Sequence, residues 1–142
     1  MKKVLFTVAL MFGAMVASAQ VSVVKEAKSM KKDPAAAAKV LEAALTNPET
    51  ANDPETWKLA GDLQKAIYDE ENMKMYLPGG QADMPKMYGA MLKMFEYYLK
   101  CDEVEQAGVA NGTVKKAKHR KKNAEVLLSV RGNLANGGVE AF

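Results

Sequence analysis

The sequence predicts an all-α protein built from antiparallel helical hairpins, with almost no β-strand. Beyond the first twenty residues the apolar positions recur at steps of three and four, which is the period of one face of a helix. Three predicted helix starts share one chemistry, because an aspartate able to cap the first turn stands just ahead of a proline. These starts are Asp33-Pro34, Asp53-Pro54 and Asp83-Met84-Pro85. A Pro-Gly-Gly run at 78–80 is a firm stop between the helices that begin at Pro54 and Met84.

The N-terminus predicts export. Lys2-Lys3 precedes an apolar run from Val4 to Val16, and Ala17-Ser18-Ala19 supplies the small residues of a secretory cleavage site. We expect residues 1–19 to be a signal peptide, and the mature protein of the periplasm or cell envelope to begin at Gln20. That mature chain has 18 basic and 17 acidic residues, so its net charge does not indicate a nucleic-acid partner. No later run approaches the roughly 20 apolar residues of a membrane-spanning helix, so we expect no membrane span.

The remaining chain divides into helices joined by short breaks. The central one is organised around Trp57, which shares a helix face with Ala60, Gln64 and Ile67, while Gly61 leaves room for a second helix to approach closely. We expect helices at Ser22–Lys31, Pro34–Leu45, Pro54 to about Tyr76, Met84 to about Glu105, and from Thr113 to the end, with a loop over Gln106–Gly112.

Several stretches resemble the tetratricopeptide repeat. Its first helix reads W-x2-L-G-x2-Y, and Trp57, Ala60 and Gly61 match that spacing, with Gln64 in place of the tyrosine. Its second helix places an alanine four residues before an aromatic position. The second-helix matches are Ala36 with Val40, and Ala90 with Met94; Leu134, Gly137 and Gly138 match another first helix. The resemblance implies a short stack of helical hairpins, a TPR-like α-solenoid, with units at about 22–48 and 54–105 and an incomplete one at 113–142.

The resemblance also implies a function in binding. First-helix residues line the inner groove of this family, and the corresponding positions beside Trp57 are Lys58, Asp62 and Lys65. The expectation is a non-catalytic exported binding or scaffold protein that takes a protein or peptide partner. An ordinary solvated helix face remains an alternative for these three residues. A structural or assembly segment of an envelope complex, without a peptide groove, remains an alternative for the whole chain.

Catalytic motifs are not evident in the sequence. The single histidine, His119, lies among lysines and arginines, so we expect a solvated side chain rather than a general base or a metal ligand. The single cysteine, Cys101, lies on an apolar face with no activating base nearby in the sequence, and we expect a buried structural thiol. We therefore expect neither an enzyme nor a bound metal or cofactor.

Methionines and lysines form the two remaining patterns. Thioethers can bind Cu(I), but steps of three and four favour packing in the core over a copper site. The methionines concerned are Met73, Met75, Met84, Met87, Met91 and Met94. The basic run Lys115 to Lys122 has no interleaved aromatic residues, which favours a solvated face over nucleic-acid binding. Contact with an anionic lipid, a polysaccharide or an acidic protein remains open for that run.

The last helix predicts an unfinished unit. Leu134, Val139 and Phe142 would remain uncovered where the repeat would continue, so we expect this chain to be the N-terminal piece of a longer protein. Self-association through this C-terminal helix is a second way to cover the same residues. In the rival interpretation the last helix is itself the cap, with Phe142 folded back on the Met84 helix.

Overall fold

A computed structural model describes residues 21–30 and 32–140, with side chains described as far as Asn136. The described residues form helices and connections without a β-strand, which confirms the all-α prediction. Helix α1 covers residues 21–29. The others are α2 (Pro34–Thr46), α3 (Pro48–Ala51), α4 (Pro54–Lys74), α5 (Met84–Ala110) and α6 (Arg120–Glu140). The predicted signal peptide and Phe142 lie outside the described residues. No described helix combines the length and apolar character that crossing a bilayer requires.

Four helices begin with a side-chain cap, as the sequence pattern predicts for three of them. In each case a side-chain oxygen accepts a hydrogen bond from a backbone amide of the first turn, and a proline occupies one of the first two helical positions. The capping residues are Asp33 for α2, Asn47 for α3, Asp53 for α4 and Asp83 for α5. Local sequence therefore determines where these helices start.

The antiparallel pair α4–α5 forms the centre of the molecule. At the end of this pair away from the α4–α5 turn, Cys101 Sγ donates a hydrogen bond to the carbonyl oxygen of Pro54 at 3.3 Å. Further along, the ring of Tyr98 lies directly against Gly61, where a Cβ would lie only 2.4 Å from two ring carbons, well short of van der Waals contact distance. Tyr98 is almost completely buried, so its ring has little room to move. The glycine thus allows α5 to approach α4 closely at this point.

Two apolar clusters share α4. One joins α1 and α2 to α4, and its buried residues are Ala27, Ala37, Leu41, Ala44, Ala60 and Leu63. The other joins α4, α5 and α6, and its buried residues are Ile67, Tyr68, Met87, Ala90, Met91, Met94, Tyr98 and Val130. Leu134 of α6 packs on the second cluster, and Asn133 donates a hydrogen bond to the hydroxyl of Tyr68. Helix α4 therefore belongs to both clusters, with α1 and α2 in the first and α5 and α6 in the second.

A buried carboxylate joins the two ends of the α4–α5 turn. Glu71 is 1% exposed and accepts hydrogen bonds from Lys74, from Lys86 and from the backbone amide of Asp83. The hydrogen bonds from Lys74 and Lys86 lower the pKa of Glu71 from 4.5 to about 2. The turn between them contains Gly79, whose φ of 73° is one that residues with a side chain rarely adopt.

The predicted boundaries are wrong after Glu105. Helix α5 continues to Ala110, so the predicted loop over Gln106–Gly112 is mostly helical. The chain then turns at Gly112, which has a φ of 80°, and residues 113–119 form no helix, although the sequence pattern predicts one from Thr113. The reason is a tertiary contact, because Val114 closes over Gly108 and the buried carboxylate of Glu105 holds the backbone further on.

The methionine prediction holds for the middle of the α5 stripe. Met87, Met91 and Met94 are buried and Met84 is partly buried, as core packing requires. Met73, in the last turn of α4, and Met75, just after α4 ends at Lys74 and so slightly before the predicted end near Tyr76, are exposed instead. The prediction that these two belong to the core is wrong.

Two glycine-to-alanine changes should have opposite effects on stability. Gly61→Ala should destabilise the protein by about 1–3 kcal/mol, because the added methyl group overlaps the confined ring of Tyr98. Gly89→Ala should stabilise it by about 0.5–1 kcal/mol, because a Cβ there meets nothing within 4 Å and alanine is the better helix former. Urea unfolding followed by circular dichroism measures both. Equal effects of the two changes would contradict the close approach at Gly61.

The Glu71 cluster should make stability depend on pH in the acid range. Because the folded-state pKa is below the unfolded value, the stabilisation is complete above about pH 4.5 and is lost as the pH falls towards 2. Glu71→Gln should lower the urea midpoint near neutral pH and reduce its dependence on pH between these values. Glu70→Gln is the matched control, since Glu70 is exposed and makes none of these hydrogen bonds. The same pH profile in wild type and Glu71→Gln would refute this role.

Candidate functional site

Trp57 lies where α3, α4 and α5 meet. Its indole Nε1 donates a hydrogen bond of 2.7 Å to the carbonyl oxygen of Ala51 in α3. Its ring contacts the ring of Tyr97 in α5, with the centroids 5.9 Å apart and the planes tilted by 54°. The indole is partly buried, so one part of it is packed and another part borders an open space. That space is the first part of a groove.

The groove runs between α2 and α5, with α4 as its floor. Four floor residues recur at helical spacing along α4: Trp57, Ala60, Gln64 and Ile67. One wall consists of α2 residues Ala35, Ala38, Lys39, Glu42 and Leu45. The other wall follows α5 from Lys86 to Ala107, which corresponds to about 30 Å of helix. We call this feature the α2–α5 groove.

Two pockets make up most of the α2–α5 groove. The first, about 440 Å³, lies over Gln64 and Ile67, and we call it the Gln64 pocket. The second, about 750 Å³, lies beside Trp57 and is bordered by Leu45, Val104 and several polar residues; we call it the Trp57 pocket. Between them the space narrows to about 10 Å³ where Tyr97 approaches α2. The groove therefore offers two separate places for side chains of a bound segment.

Gln64 is the polar residue in the floor. It is 7% exposed and borders the Gln64 pocket and the narrow passage, and its amide is open to solvent there without a hydrogen bond to another described residue. Buried amide groups normally have hydrogen-bond partners in the protein or in water. A ligand in this pocket would find an amide with two donors and an acceptor available.

Lysines border the groove on both walls. On α5, Lys86, Lys93 and Lys100 follow one another at seven-residue intervals, which keeps them on one side of the helix. Lys86 is paired with Glu71, and Lys100 with Glu103. Lys93 has no ion pair within the described part of the chain, and neither has Lys39 on the opposite wall. Two exposed lysines without an ion pair among the described residues thus line the Gln64 pocket from opposite walls.

The three residues predicted for binding lie on another side of α4. Lys58 pairs with Asp62, and its ammonium group stands 5.4 Å from the centre of the Tyr98 ring. The Tyr98 hydroxyl donates to Asp62 at 2.7 Å, and burial together with this bond raises the pKa of Tyr98. Lys65 pairs with Asp69. None of the three borders the α2–α5 groove, and Lys58 and Asp62 take part in the contact between α4 and α5.

The remaining predicted positions are placed as follows. Ala60 belongs to the groove floor as well as to the core, and Ala90 belongs to one groove wall and to the core. Met94 is buried and Leu134 is partly buried on the same cluster. Gly137 and Gly138 lie within α6, near its end.

The expectation of a solvated His119 is wrong. Its side chain is 13% exposed, and Nε2 lies 3.1 Å from a carboxylate oxygen of Glu55 and 3.9 Å from one of Glu105. Glu105, completely buried, accepts the backbone amides of Lys118 and His119. Lys118 also pairs with Glu55, and this hydrogen bond lowers the pKa of Glu55. Two acidic residues distant in sequence thus hold Lys118 and His119, in the middle of the basic run.

Cys101 is buried, as predicted. Burial raises the pKa of the thiol to about 11, so the thiolate is scarcely populated near neutral pH. Among the described residues, no three His, Cys, Asp or Glu side chains are grouped in a way that could hold a metal ion. The Glu105 carboxylate positions the backbone before α6 by accepting the amides of Lys118 and His119.

Comparison with known proteins gives no relative. No protein-family model, curated protein or solved structure matches this chain. The sequence and the geometry described above are accordingly the basis for assigning a function.

A double-mutant cycle should detect the bond between Asp62 and Tyr98. Tyr98→Phe and Asp62→Asn should each destabilise the protein, and the double variant should recover about 1 kcal/mol relative to their sum. Lys65 and Asp69 form the control pair, because an exposed i,i+4 pair couples by only about 0.3–0.5 kcal/mol. Additive effects at Asp62 and Tyr98 would show that this hydrogen bond does not stabilise the helix pair.

Proposed function

We propose that this chain is an exported, non-catalytic binding or scaffold protein that holds a segment of a protein partner in the α2–α5 groove. The observation that carries the proposal is the groove itself, an open channel along three helices with two side-chain-sized pockets. None of the residues that line it is a histidine or cysteine. Its mixture of small apolar walls, one aromatic residue and a polar rim is typical of a surface that binds.

The helix order supports a TPR-like stack as the architecture behind this function. Helix α2 packs on α4, α4 on α5, and α5 on α6, which is the sequence of contacts that stacked hairpins make. The close approach of Tyr98 to Gly61 supports the role that the repeat assigns to a glycine following Trp57 and Ala60. Export is proposed on the leader sequence alone, from Lys2-Lys3 to Ala19.

The site proposed here differs from the set Lys58, Asp62 and Lys65. Those residues are engaged in ion pairs along α4, and two of them contact Tyr98. A partner at that face would have to replace contacts that join α4 to α5. A partner in the α2–α5 groove would replace none of them.

A structural or assembly role is the second candidate, and exposed leucines favour it. Leu92 and Leu99, seven residues apart on α5, are 59% and 61% exposed, and Leu128 of α6 is 60% exposed. Large exposed apolar side chains at regular spacing can pack against another subunit. This role would use the outer face of α5 and α6 and would not require the groove.

Filling the groove should abolish binding of the partner. Gly89→Trp places an indole in the Gln64 pocket without meeting any neighbouring atom near its Cβ. The matched control is Gly132→Trp, which adds the same side chain to α6, where a Cβ likewise meets nothing within 4 Å. Each protein is immobilised, exposed to envelope extract and washed, and the retained proteins are quantified by mass spectrometry. We expect Gly89→Trp to lower partner retention at least about tenfold, equivalent to about 1.4 kcal/mol, and Gly132→Trp to leave it unchanged.

A third variant separates the two candidate functions. Leu99→Glu places a charge on the outer face of α5 and leaves the groove intact. A partner that is retained by Gly89→Trp and lost with Leu99→Glu would reject the groove and favour the assembly role. Circular dichroism of all three variants checks that each keeps the helical fold.

A further inference from the structure

We propose that the Gln64 pocket binds the carboxylate of an acidic residue in the partner segment. This inference rests on the proposed function, because it concerns the chemistry of what the α2–α5 groove takes. It depends on three features of the same pocket: an amide in the floor without a partner, two exposed lysines on opposite walls, and walls of small residues.

The first feature is Gln64. The residue is 7% exposed and borders the pocket, and its amide is open to the pocket solvent without a hydrogen-bond partner among the described residues. A carboxylate oxygen is a good acceptor for the amide N–H groups, and a charged acceptor makes the stronger hydrogen bond. An apolar ligand would leave the amide unsatisfied, which disfavours apolar side chains in this pocket.

The second feature is the charge around the pocket. Lys39 on α2 and Lys93 on α5 are both exposed, and neither belongs to an ion pair in the described part of the chain. Lys86 also borders the pocket, but its ammonium group is bound to Glu71. Glu42 is the acidic residue of the lining, so with Lys86 neutralised by Glu71 the rim keeps two unpaired lysines and one carboxylate. This balance favours an anionic group and disfavours a cationic one.

The third feature is space. Ala35, Ala38, Gly89 and Ala90 form the nearest parts of the walls, so a side chain can reach the floor from outside. The Trp57 pocket begins about one seven-residue step further along α5, roughly 10 Å away. An extended chain covers that distance in about three residues. A segment with an acidic residue and, three positions later, an aromatic residue therefore fits both pockets.

Labelled peptides test the proposal directly. Three fluorescein-labelled peptides share the core Xaa-Ala-Ala-Trp between flanking glycines, where Xaa is glutamate, glutamine or lysine. Binding to the full chain is measured by fluorescence anisotropy at physiological salt. We expect the glutamate peptide to bind about tenfold more tightly than the glutamine peptide, and the lysine peptide to bind more weakly than either.

Variants of the protein locate the preference. The double variant Lys39→Gln with Lys93→Gln should abolish the difference between the glutamate and glutamine peptides, and Gln64→Leu should reduce it several-fold. The matched control is Lys121→Gln with Lys122→Gln, which removes the same charge from exposed positions on α6. It should leave the preference intact. An equal loss in the control would show a diffuse attraction and would overturn the proposal.

The same assay distinguishes failure of this inference from failure of the groove. If the glutamine or lysine peptide binds as tightly as the glutamate peptide, and Gly89→Trp abolishes that binding, the carboxylate preference is refuted and the groove function stands. If none of the peptides binds, or if Gly89→Trp does not weaken their binding relative to Gly132→Trp, this inference is overturned. If retention of the partner from envelope extract is also insensitive to Gly89→Trp, the groove function is refuted as well.

Discussion

The contact between Gly61 and Tyr98 determines how α4 and α5 lie together, and the other features depend on that pair. With the Tyr98 ring against the α4 backbone, its hydroxyl reaches Asp62 and its ring lies below the ammonium group of Lys58. One side of the pair is thereby filled. On the other side, α2 and α5 flank α4 and approach each other only at Tyr97, and the space on either side of that approach is the groove. A larger residue at position 61 would push α5 away and change the wall of the groove as well as the core.

Charged groups with low exposure stabilise the two ends of the helix pair. At the turn, Glu71 joins α4 to the start of α5 through three hydrogen bonds. At the other end, Glu105 holds the amides of the segment that leads into α6, and Glu55 of α4 contacts the same segment. A buried carboxylate requires such complete hydrogen bonding, because removing a charge from water is costly. Glu71 therefore fixes the backbone at the start of α5, and Glu105 fixes the backbone that leads into α6.

Local chemistry explains which parts of the fold the sequence predicts. The capped helix starts at Asp33, Asp53 and Asp83 depend on neighbours within one turn, and the α5 stripe of methionines depends on helical period alone. The segment before α6 was predicted wrongly because its conformation depends on Glu105, thirteen or more residues away. The prediction for His119 is wrong for the same reason, because the acidic residues that surround it come from α4 and α5. Periodicity within one helix contains no information about such partners.

The groove could not be predicted from the sequence for a related reason. In the sequence, Trp57 correctly marks a part of α4 that borders the groove. The groove walls come from α2 and α5, however, and the register of these helices against α4 is a property of the packed structure. The resemblance to repeat proteins indicated Lys58, Asp62 and Lys65, which occupy a different side of the same helix. The seven-residue spacing of Lys86, Lys93 and Lys100 is visible in the sequence and was the available signal for one wall.

The small residues between α2 and α4 also have a thermodynamic consequence. Four of the six buried residues that join the α1–α2 hairpin to α4 are alanines, each with little apolar area to bury, whereas the cluster of α4, α5 and α6 contains two tyrosines and three methionines. One wall of the groove is thus attached less firmly than the other, which belongs to the closely packed α4–α5 pair. A segment bound between α2 and α5 touches both walls at once and so adds area to the weaker attachment. Under the proposed function, binding and hairpin docking would be linked equilibria, and occupancy of the groove would stabilise the N-terminal hairpin of the described chain.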